Sequence, residues 1–203
     1  TGEGASGLGH AISHREPNSK IGYFPGIHAM NNVHSILDEH LKANPDLVAL
    51  RWVSPEKLQN FKPGEILKHE SVNMQELYEC IGHVAAGLKE IGIEKGDRVI
   101  LFVPMSLQLY TTMFALQKIA AIPVFLDSWA RRNHLGASAK IVAPKAMISV
   151  EQAFALCADV PELASLSVKV CVGPGAREYT ARLEELMKTP SSAPKEPVEQ
   201  EHT

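Results

Sequence analysis

The sequence predicts an α/β fold in which a doubly wound parallel sheet is flanked by helices. Apolar runs with the character of buried strands alternate with segments of helical periodicity along most of the chain. The run "RVILFV" contains no polar residue after its arginine, which is typical of a strand covered on both faces. Repeated strand–helix units of this kind join parallel strands by right-handed connections.

The first elements differ in character from the later ones. A helix is predicted over about residues 32–43, because Val33, Ile36, Leu37 and Leu41 share one face. The segment "LVALRWV" (47–53) is predicted as a strand, and the polar residues after it as a loop. A long helix over 74–91 follows, with Asn73 and Glu76 as a near capping box and Gly92 at its end.

Strands and helices then alternate to residue 188. Predicted strands cover 98–103, 122–127, 145–150 and 167–173. Predicted helices cover 107–119, about 131–140, 151–160 and a last segment with Tyr179, Leu183, Leu186 and Met187 on one face.

Composition and charge exclude several classes of protein. The net charge of −3 offers no basic surface, so nucleic acid is excluded as a main partner. No apolar stretch approaches the roughly 20 residues of a transmembrane helix, and no secretory signal is predicted, so a cytoplasmic location is expected. The spacing of Cys80, Cys157 and Cys171 predicts reduced thiols in the core.

Two amino-terminal patterns are interpreted as coincidences. Gly2, Gly4 and Gly7 have the G-x-G-x-x-G spacing, but no strand precedes them and no helical pattern follows. His10 and His14 have a spacing that suits two metal ligands on one helix face, yet no third ligand accompanies them. No metal site is therefore predicted.

Two further segments leave alternatives open. "VGPGARE" (172–178) is interpreted as a turn, with a backbone anion site as the alternative. Arg131 and Arg132 are interpreted as solvated residues of a first helical turn, with a grip on phosphate or carboxylate as the alternative. No catalytic motif is found, so no catalytic residue is predicted and cofactor-binding residues stay unknown.

Residues 72–127 resemble the N-terminal region of the AMP-forming acyl-activating ligases, which include acyl-CoA synthetases, luciferases and peptide-synthetase adenylation domains. That family has a Thr-aromatic-x-Glu-Leu helix start, a Gly-Asp-Arg-Val turn, and a Lys-x-Gly-Ala run leading to Pro and Leu-Asp-Pro. The positions that match are Glu76, Leu77, Gly96 to Val99, Lys118, Ala121, Pro123, Leu126 and Asp127. Asn73 and Met74 replace the Thr-aromatic pair, although Asn73 can still cap the helix. Ala120 stands where the family usually has Gly and Ser128 where it usually has Pro, so the turns at these two positions are expected to differ.

The stretch "LGASAKIVAPKAMISVEQA" (135–153) is more similar to the fatty-acyl ligase and olefin β-lactone synthetase branch than to the amino-acid branch. The resemblance implies a two-step reaction in which a carboxylate attacks ATP and a second nucleophile, often the CoA thiol, takes the acyl group. It also implies ATP, Mg²⁺ and CoA for the parent enzyme and none for this fragment.

The resemblance divides the chain into a tail (1–30), a first helix and strand (31–70), an α/β subdomain (71–188) and a linker (189–203). The fold is expected to be incomplete, with the phosphate loop beyond residue 203. The expected partners are the rest of the ligase chain and a carboxylic acid, and residues 31–70 are expected to pack on the missing part. The uncovered helix 32–43 is expected to allow self-association.

Two other functions stay open at this point. One is a stand-alone α/β binding or interaction module, because a fold does not fix a function. The other is a flavodoxin-like nucleotide-binding domain, which the lack of a glycine- or hydroxyl-rich loop after the first predicted strand disfavours.

Overall fold

The computed structural model of the chain describes residues 33–126 and 132–188. Several predictions concern residues outside these ranges. They are the predictions for the tail 1–30 with Gly2, Gly4, Gly7, His10 and His14, for Asp127, Ser128 and Arg131, and for the linker 189–203.

An amino-terminal layer precedes the main sheet. It consists of α1 (Val33–Ala43), β1 (Val48–Trp52), α2 (Pro55–Gln59) and β2 (Glu70–Asn73). β1 and β2 pair antiparallel as a sheet of their own. The predicted first helix and strand are therefore present, whereas the segment predicted as a loop contains the short α2, and β2 was not predicted.

The rest of the described chain is a parallel α/β unit. Its first elements are α3 (Met74–Glu90), β3 (Arg98–Phe102), α4 (Leu107–Lys118), β4 (Ile122–Phe125), α5 (Arg132–Val142) and β5 (Ala146–Val150). They are followed by α6 (Glu151–Leu156), α7 (Pro161–Ala164), β6 (Val168–Val172), β7 (Ala181–Arg182) and α8 (Leu183–Leu186). The five strands β3 to β7 pair in the order β4-β3-β5-β6-β7, and every pairing is parallel. The predicted fold class is confirmed.

The last predicted helix is wrong in its extent. Tyr179 lies outside α8, because the chain first returns to pair as β7 beside β6. The Thr180 N–H donates to the Lys169 carbonyl and begins this pairing. The apolar spacing that predicted a helix from Tyr179 onward therefore spans a two-residue strand and a single helical turn.

Alternating side chains of the strands pack against helices on both faces of the sheet. One face carries Val99, Leu101 and Ile148 and is covered by α3, α4 and α8. The other face carries Ile100, Met147 and Cys171 and is covered by α5, α6 and α7. This two-sided burial explains why the strand sequences are almost continuously apolar.

The apolar stripe of α1 is split between the core and the solvent. Leu37 packs against the buried cluster beneath α3 and α4, whereas Ile36 keeps 40% of its surface exposed and Leu41 is half-buried. The expectation of an uncovered stripe is wrong for Leu37, because α1 packs against α3 and α4 of the same chain. The side chain of Val33 is outside the description.

Candidate functional site at the carboxyl edge of the sheet

The strand order reverses direction at β3. From β3 the chain passes to β4 on one side, then crosses back to β5 on the other side of β3. Ligands of open parallel sheets bind outside the carboxyl ends of the strands at such a switch point. The carboxyl edge of β3, β4 and β5 is therefore the candidate functional site.

A serine ties the two central strands together at this edge. Phe102 and Ser149 are register partners at the ends of β3 and β5. The buried Ser149 hydroxyl donates to the Phe102 carbonyl at 2.6 Å. This hydrogen bond fixes the spacing of the two strand ends. The Ser149 hydroxyl hydrogen is used in this bond and is not offered to a ligand. Sequence reasoning missed Ser149, because only the register places it beside Phe102.

The segment after β3 leads directly into α4. The Ser106 side chain accepts from the Leu109 N–H and caps the helix. The intervening Met105 is 77% exposed, and the Tyr110 hydroxyl donates to its sulfur at 3.0 Å. At the end of β4, Phe125 is 54% exposed. The edge thus carries large apolar side chains that the described chain does not cover.

This edge can supply contacts and shape rather than acid–base chemistry. Met105 and Phe125 can pack against an apolar ligand, whereas the Ser149 hydroxyl is already bonded to a carbonyl. Across residues 33–126 and 132–188, no group of three or more potential metal ligands is found.

The residues of α3 and of the turn before β3 that match the family pattern stabilise the helix start and that turn. Asn73 accepts from the Glu76 N–H at 2.8 Å, and the Glu76 carboxylate accepts from the Asn73 N–H at 2.9 Å. The sequence predicted a near capping box, and the structure shows a complete one. In the next turn, Asp97 accepts from the Glu94 N–H and from Lys145 at 2.7 Å each. These residues hold the backbone and do not point to a ligand.

Ala120 shows what the family departure does to its turn. Its φ of +57° lies in the left-handed region, and its carbonyl accepts from the Gly96 N–H at 2.8 Å. The turn is therefore made in a backbone conformation that favours glycine, although alanine occupies it. Whether this turn differs from that of the family stays a prediction.

Lys118, another family-like residue, is 7% exposed and lies in a polar cluster. Its ammonium is 3.2 Å from His34 Nε2, 3.3 Å from the Tyr78 hydroxyl and 4.3 Å from the centre of the Tyr78 ring. Asp38 of α1 is 3.8 Å from His34 Nε2. Sequence reasoning missed this cluster, because its members lie in three helices that only the fold brings together.

The cluster shifts the pKa values of its members. Burial, with a contribution from Lys118, lowers the pKa of His34 to about 4. Burial also lowers the pKa of Lys118, which the charge of Asp38 partly opposes. The pKa of Tyr78 is raised, first by burial and then by its hydrogen bond to Asp38.

The segment 172–178 is a turn, as its first interpretation held. The Gly173 N–H donates to the Glu184 carboxylate at 2.8 Å, and Arg182 donates to the carbonyls of Gly173 and Gly175. An internal carboxylate thus takes the position that an anion would need, so the alternative anion site is not supported. Arg132 begins α5, but its side chain is outside the description.

His83 and the cysteines have structural roles. His83 Nδ1 is 3.0 Å from the Met187 carbonyl. Cys157 and Cys171 are buried and Cys80 is half-buried, and burial raises the pKa of Cys80 and of Cys171. Both shifts keep these thiols protonated and unreactive near neutral pH.

Two clefts lie away from the carboxyl edge. One of about 260 Å³ is lined by Lys57, Asn60, Phe61, Glu65, Ile66, Leu67 and Lys68. The other, of about 190 Å³, is lined by Phe154, Cys157, Ala158, Leu163, Ala164, Lys169, Arg177, Glu178 and Tyr179.

Within the described ranges, no helix is both long and apolar enough to span a bilayer.

Known proteins are similar to this chain in sequence and in fold. Acetyl-coenzyme A synthetase of Pseudoalteromonas translucida (strain TAC 125) is 33% identical over 93 residues, which are 46% of this chain and 13% of that protein. Propionate–CoA ligase of Escherichia coli (strain K12) is 28% identical over 92 residues, or 45% of this chain and 13% of that protein. The alignment thus spans only a small part of the length of these relatives.

A solved structure shows the same fold. The anthranilate CoA ligase AuaEII, crystallised in complex with anthranoyl-AMP, matches 83% of this chain and 30% of its own with a TM-score of 0.67. The sequence identity in that match is 18%, so this likeness concerns the fold alone. The sequence profile described as "AMP-binding enzyme" matches residues 37–203, which is more than half of the chain. The chain therefore belongs to the AMP-binding enzyme family.

Proposed function

We propose that this chain is the amino-terminal part of an ATP-dependent, AMP-forming carboxylic acid ligase. In the first step, the substrate carboxylate attacks the α-phosphorus of ATP, which gives an acyl-adenylate and releases pyrophosphate. In the second step, a thiol attacks the acyl carbon and AMP leaves, which gives a thioester. The family match over residues 37–203 carries this proposal, and the ligase-like sheet topology supports it.

The carboxyl edge of the sheet provides part of the wall of the acyl or CoA site. Met105 and Phe125 present exposed apolar surface there, and burying such surface against a ligand is favourable by about 25 cal/mol per Å². The hydrogen bond between Ser149 and Phe102 holds that wall in place. The role of this chain in the reaction is therefore to bind and orient the substrate.

The phosphate chemistry belongs to the rest of the ligase. Phosphoryl and adenylyl transfer need cationic groups or backbone donors that clamp the phosphates, with Mg²⁺ neutralising charge. The carboxyl edge described here offers a bonded serine and apolar side chains instead. ATP, Mg²⁺ and CoA are accordingly assigned to the parent enzyme, and the chain alone is expected to be inactive.

The acid substrate is proposed to be a fatty acid. The similarity of residues 135–153 to the fatty-acyl branch and the apolar character of Met105 and Phe125 both support a hydrocarbon chain. A cytoplasmic location is part of the proposal, and the wide spacing of the three cysteines, which fits no disulfide framework, supports a reducing compartment.

The proposed macromolecular partner is the remainder of the ligase chain, with the exposed Ile36 of α1 as one contact. Self-association of the chain alone through α1 stays a prediction, and sedimentation velocity over a range of concentrations tests it. A concentration-dependent dimer that Ile36→Glu abolishes would support it, whereas a monomer throughout would contradict it.

Exchange of labelled pyrophosphate into ATP tests the function. The native polypeptide that carries this sequence, purified from its source, is expected to exchange label when given Mg²⁺ and a carboxylate from a series running from acetate to palmitate. The 203-residue chain alone is expected not to. Exchange by the chain alone would contradict its inactivity, and no exchange with any acid by the native polypeptide would favour a binding module.

A pair of variants tests the wall. In the native polypeptide, Phe125→Ala at the carboxyl edge is expected to shift the preferred acid length, because it removes apolar contact area. Ile66→Ala is the matched control, since Ile66 is 91% exposed and lies between α2 and β2, away from that edge. Equal chain-length profiles for the two variants would contradict the assignment of the wall while leaving the ligase reaction intact.

A further inference from the structure

The cluster around Lys118 joins α1 to the rest of the protein. His34 is the only buried residue among those of 33–73 whose side chains the structure describes. It stacks on the Tyr78 ring of α3 at a centroid distance of 5.3 Å, and its Nε2 contacts Lys118 at the end of α4. One imidazole therefore contacts both helices on which α1 lies.

The chemistry of this contact requires a neutral imidazole. A lysine ammonium has donors and no acceptor, so His34 Nε2 must offer its lone pair to Lys118. Protonated His34 would lose that lone pair and place a second cation 3.2 Å from the ammonium. The Asp38 carboxylate, at 3.8 Å from the same nitrogen, compensates only in part, because burial and the charge of Lys118 outweigh its effect on the pKa of His34.

We propose that His34 is an acid-sensitive latch, which holds α1 on α3 and α4 while it is neutral and releases α1 when it is protonated. The titratable groups that face it are Asp38 from α1, Tyr78 from α3 and Lys118 from α4. Tyr78 is a neutral hydrogen-bonding group across the acidic range. Protonation of His34 therefore adds a positive charge beside the Lys118 ammonium.

The pH range follows from the two states of α1. In the docked state the pKa of His34 is about 4, and in a released helix it returns to the ordinary 6.5. The released state therefore binds the proton more tightly, so docking is fully favoured above about pH 6.5 and weakens as the pH falls toward 4. Each pH unit inside this range changes the docking equilibrium by up to about tenfold, for a total of about a hundredfold.

Amide hydrogen exchange of the full chain, corrected for the intrinsic effect of pH on exchange, measures this release. Protection of α1 is expected to be constant between pH 8 and 7 and to fall by about a hundredfold at pH 4.5. Protection in β3 and β5 is expected to change far less over the same interval. Loss of protection in α1, β3 and β5 together would indicate global unfolding and would overturn the proposal.

Variants separate the latch from other acid effects. His34→Gln keeps an acceptor for Lys118 but does not titrate, so α1 should stay docked with protection that no longer depends on pH. His40→Gln, at an exposed histidine of the same helix, should keep the full pH dependence. An unchanged pH dependence in His34→Gln would overturn the proposal, and so would an NMR titration in which the pKa of His34 lies near the ordinary 6.5.

Discussion

The amino-terminal layer (33–73) and the parallel unit (74–126 and 132–188) are stabilised in different ways. The parallel unit buries apolar side chains from both faces of its sheet in two large clusters. Among the side chains of the amino-terminal layer that the structure describes, only that of His34 is buried, and β1 has no buried residue. Since burial of apolar area is the main source of folding free energy, the parallel unit supports the layer rather than the reverse.

Both regions expose large apolar side chains. Leu47, Val48 and Ile66 are exposed in the amino-terminal layer, and Met105 and Phe125 are exposed at the carboxyl edge of the parallel unit. The regions therefore differ in what they bury rather than in whether they expose apolar side chains.

The largest expected effect comes from one pair of isoleucines. Ile81→Ala in α3 removes a side chain with no exposed surface and should lower the free energy of unfolding by about 2–5 kcal/mol. Ile66→Ala makes the same chemical change at a side chain that is 91% exposed and should stay within about 0.5 kcal/mol of the unchanged protein. Urea unfolding measures both, and similar losses would show that the two regions do not differ as described.

The boundary between the regions gives the next effect. Asn73 ends β2 and caps α3, and Asn73→Ala removes the acceptor for the Glu76 N–H, so stability should fall by about 1 kcal/mol. Asn73→Asp keeps an acceptor at the same position and should restore most of the loss. If Asp fails to restore it, the loss comes from the pairing of β1 with β2 rather than from the cap.

The parallel unit was largely predictable from sequence, whereas the layer was predictable only in part. Unbroken apolar strands and the Asn73 cap are local signals, and each agreed with the fold. β2 was missed because "ESVN" has no apolar alternation, and β2 forms only by pairing with β1. The helix predicted from Tyr179 was wrong because pairing of Ala181 with Val170 overrides local periodicity.

The candidate site was less predictable than the fold. Ser149 and Phe102 are 47 residues apart in sequence, and parallel register alone brings them together. His34 and Lys118 are 84 residues apart, and no sequence motif includes both of them. The family-like residues Glu76 and Asp97 could be recognised from sequence because each bonds to a residue three positions away. Such short-range bonds form helix caps and turns.

Ala120 gives a smaller effect of opposite sign in the parallel unit. Its left-handed φ of +57° strains an alanine, so Ala120→Gly should raise stability by about 0.5–1 kcal/mol despite the greater freedom of glycine in the unfolded chain. Thermal and urea unfolding measure the gain. A loss would show that the buried methyl group of Ala120 contributes more through packing than the backbone conformation costs.

The smallest effect is expected at the ion pair of the amino-terminal layer. Lys57 of α2 and Glu70 of β2 are 2.7 Å apart, but both side chains are about two-fifths exposed, at 42% and 40%. Water and salt screen such a pair, and holding two long side chains together costs conformational entropy. Lys57→Gln should therefore change the urea midpoint by an order of magnitude less than Ile81→Ala does. The residual change should vanish in 0.5 M NaCl, where the Debye length is only about 4 Å. A large, salt-independent loss would mean that this contact anchors the layer, and the layer would then depend on more than its docking against the parallel unit.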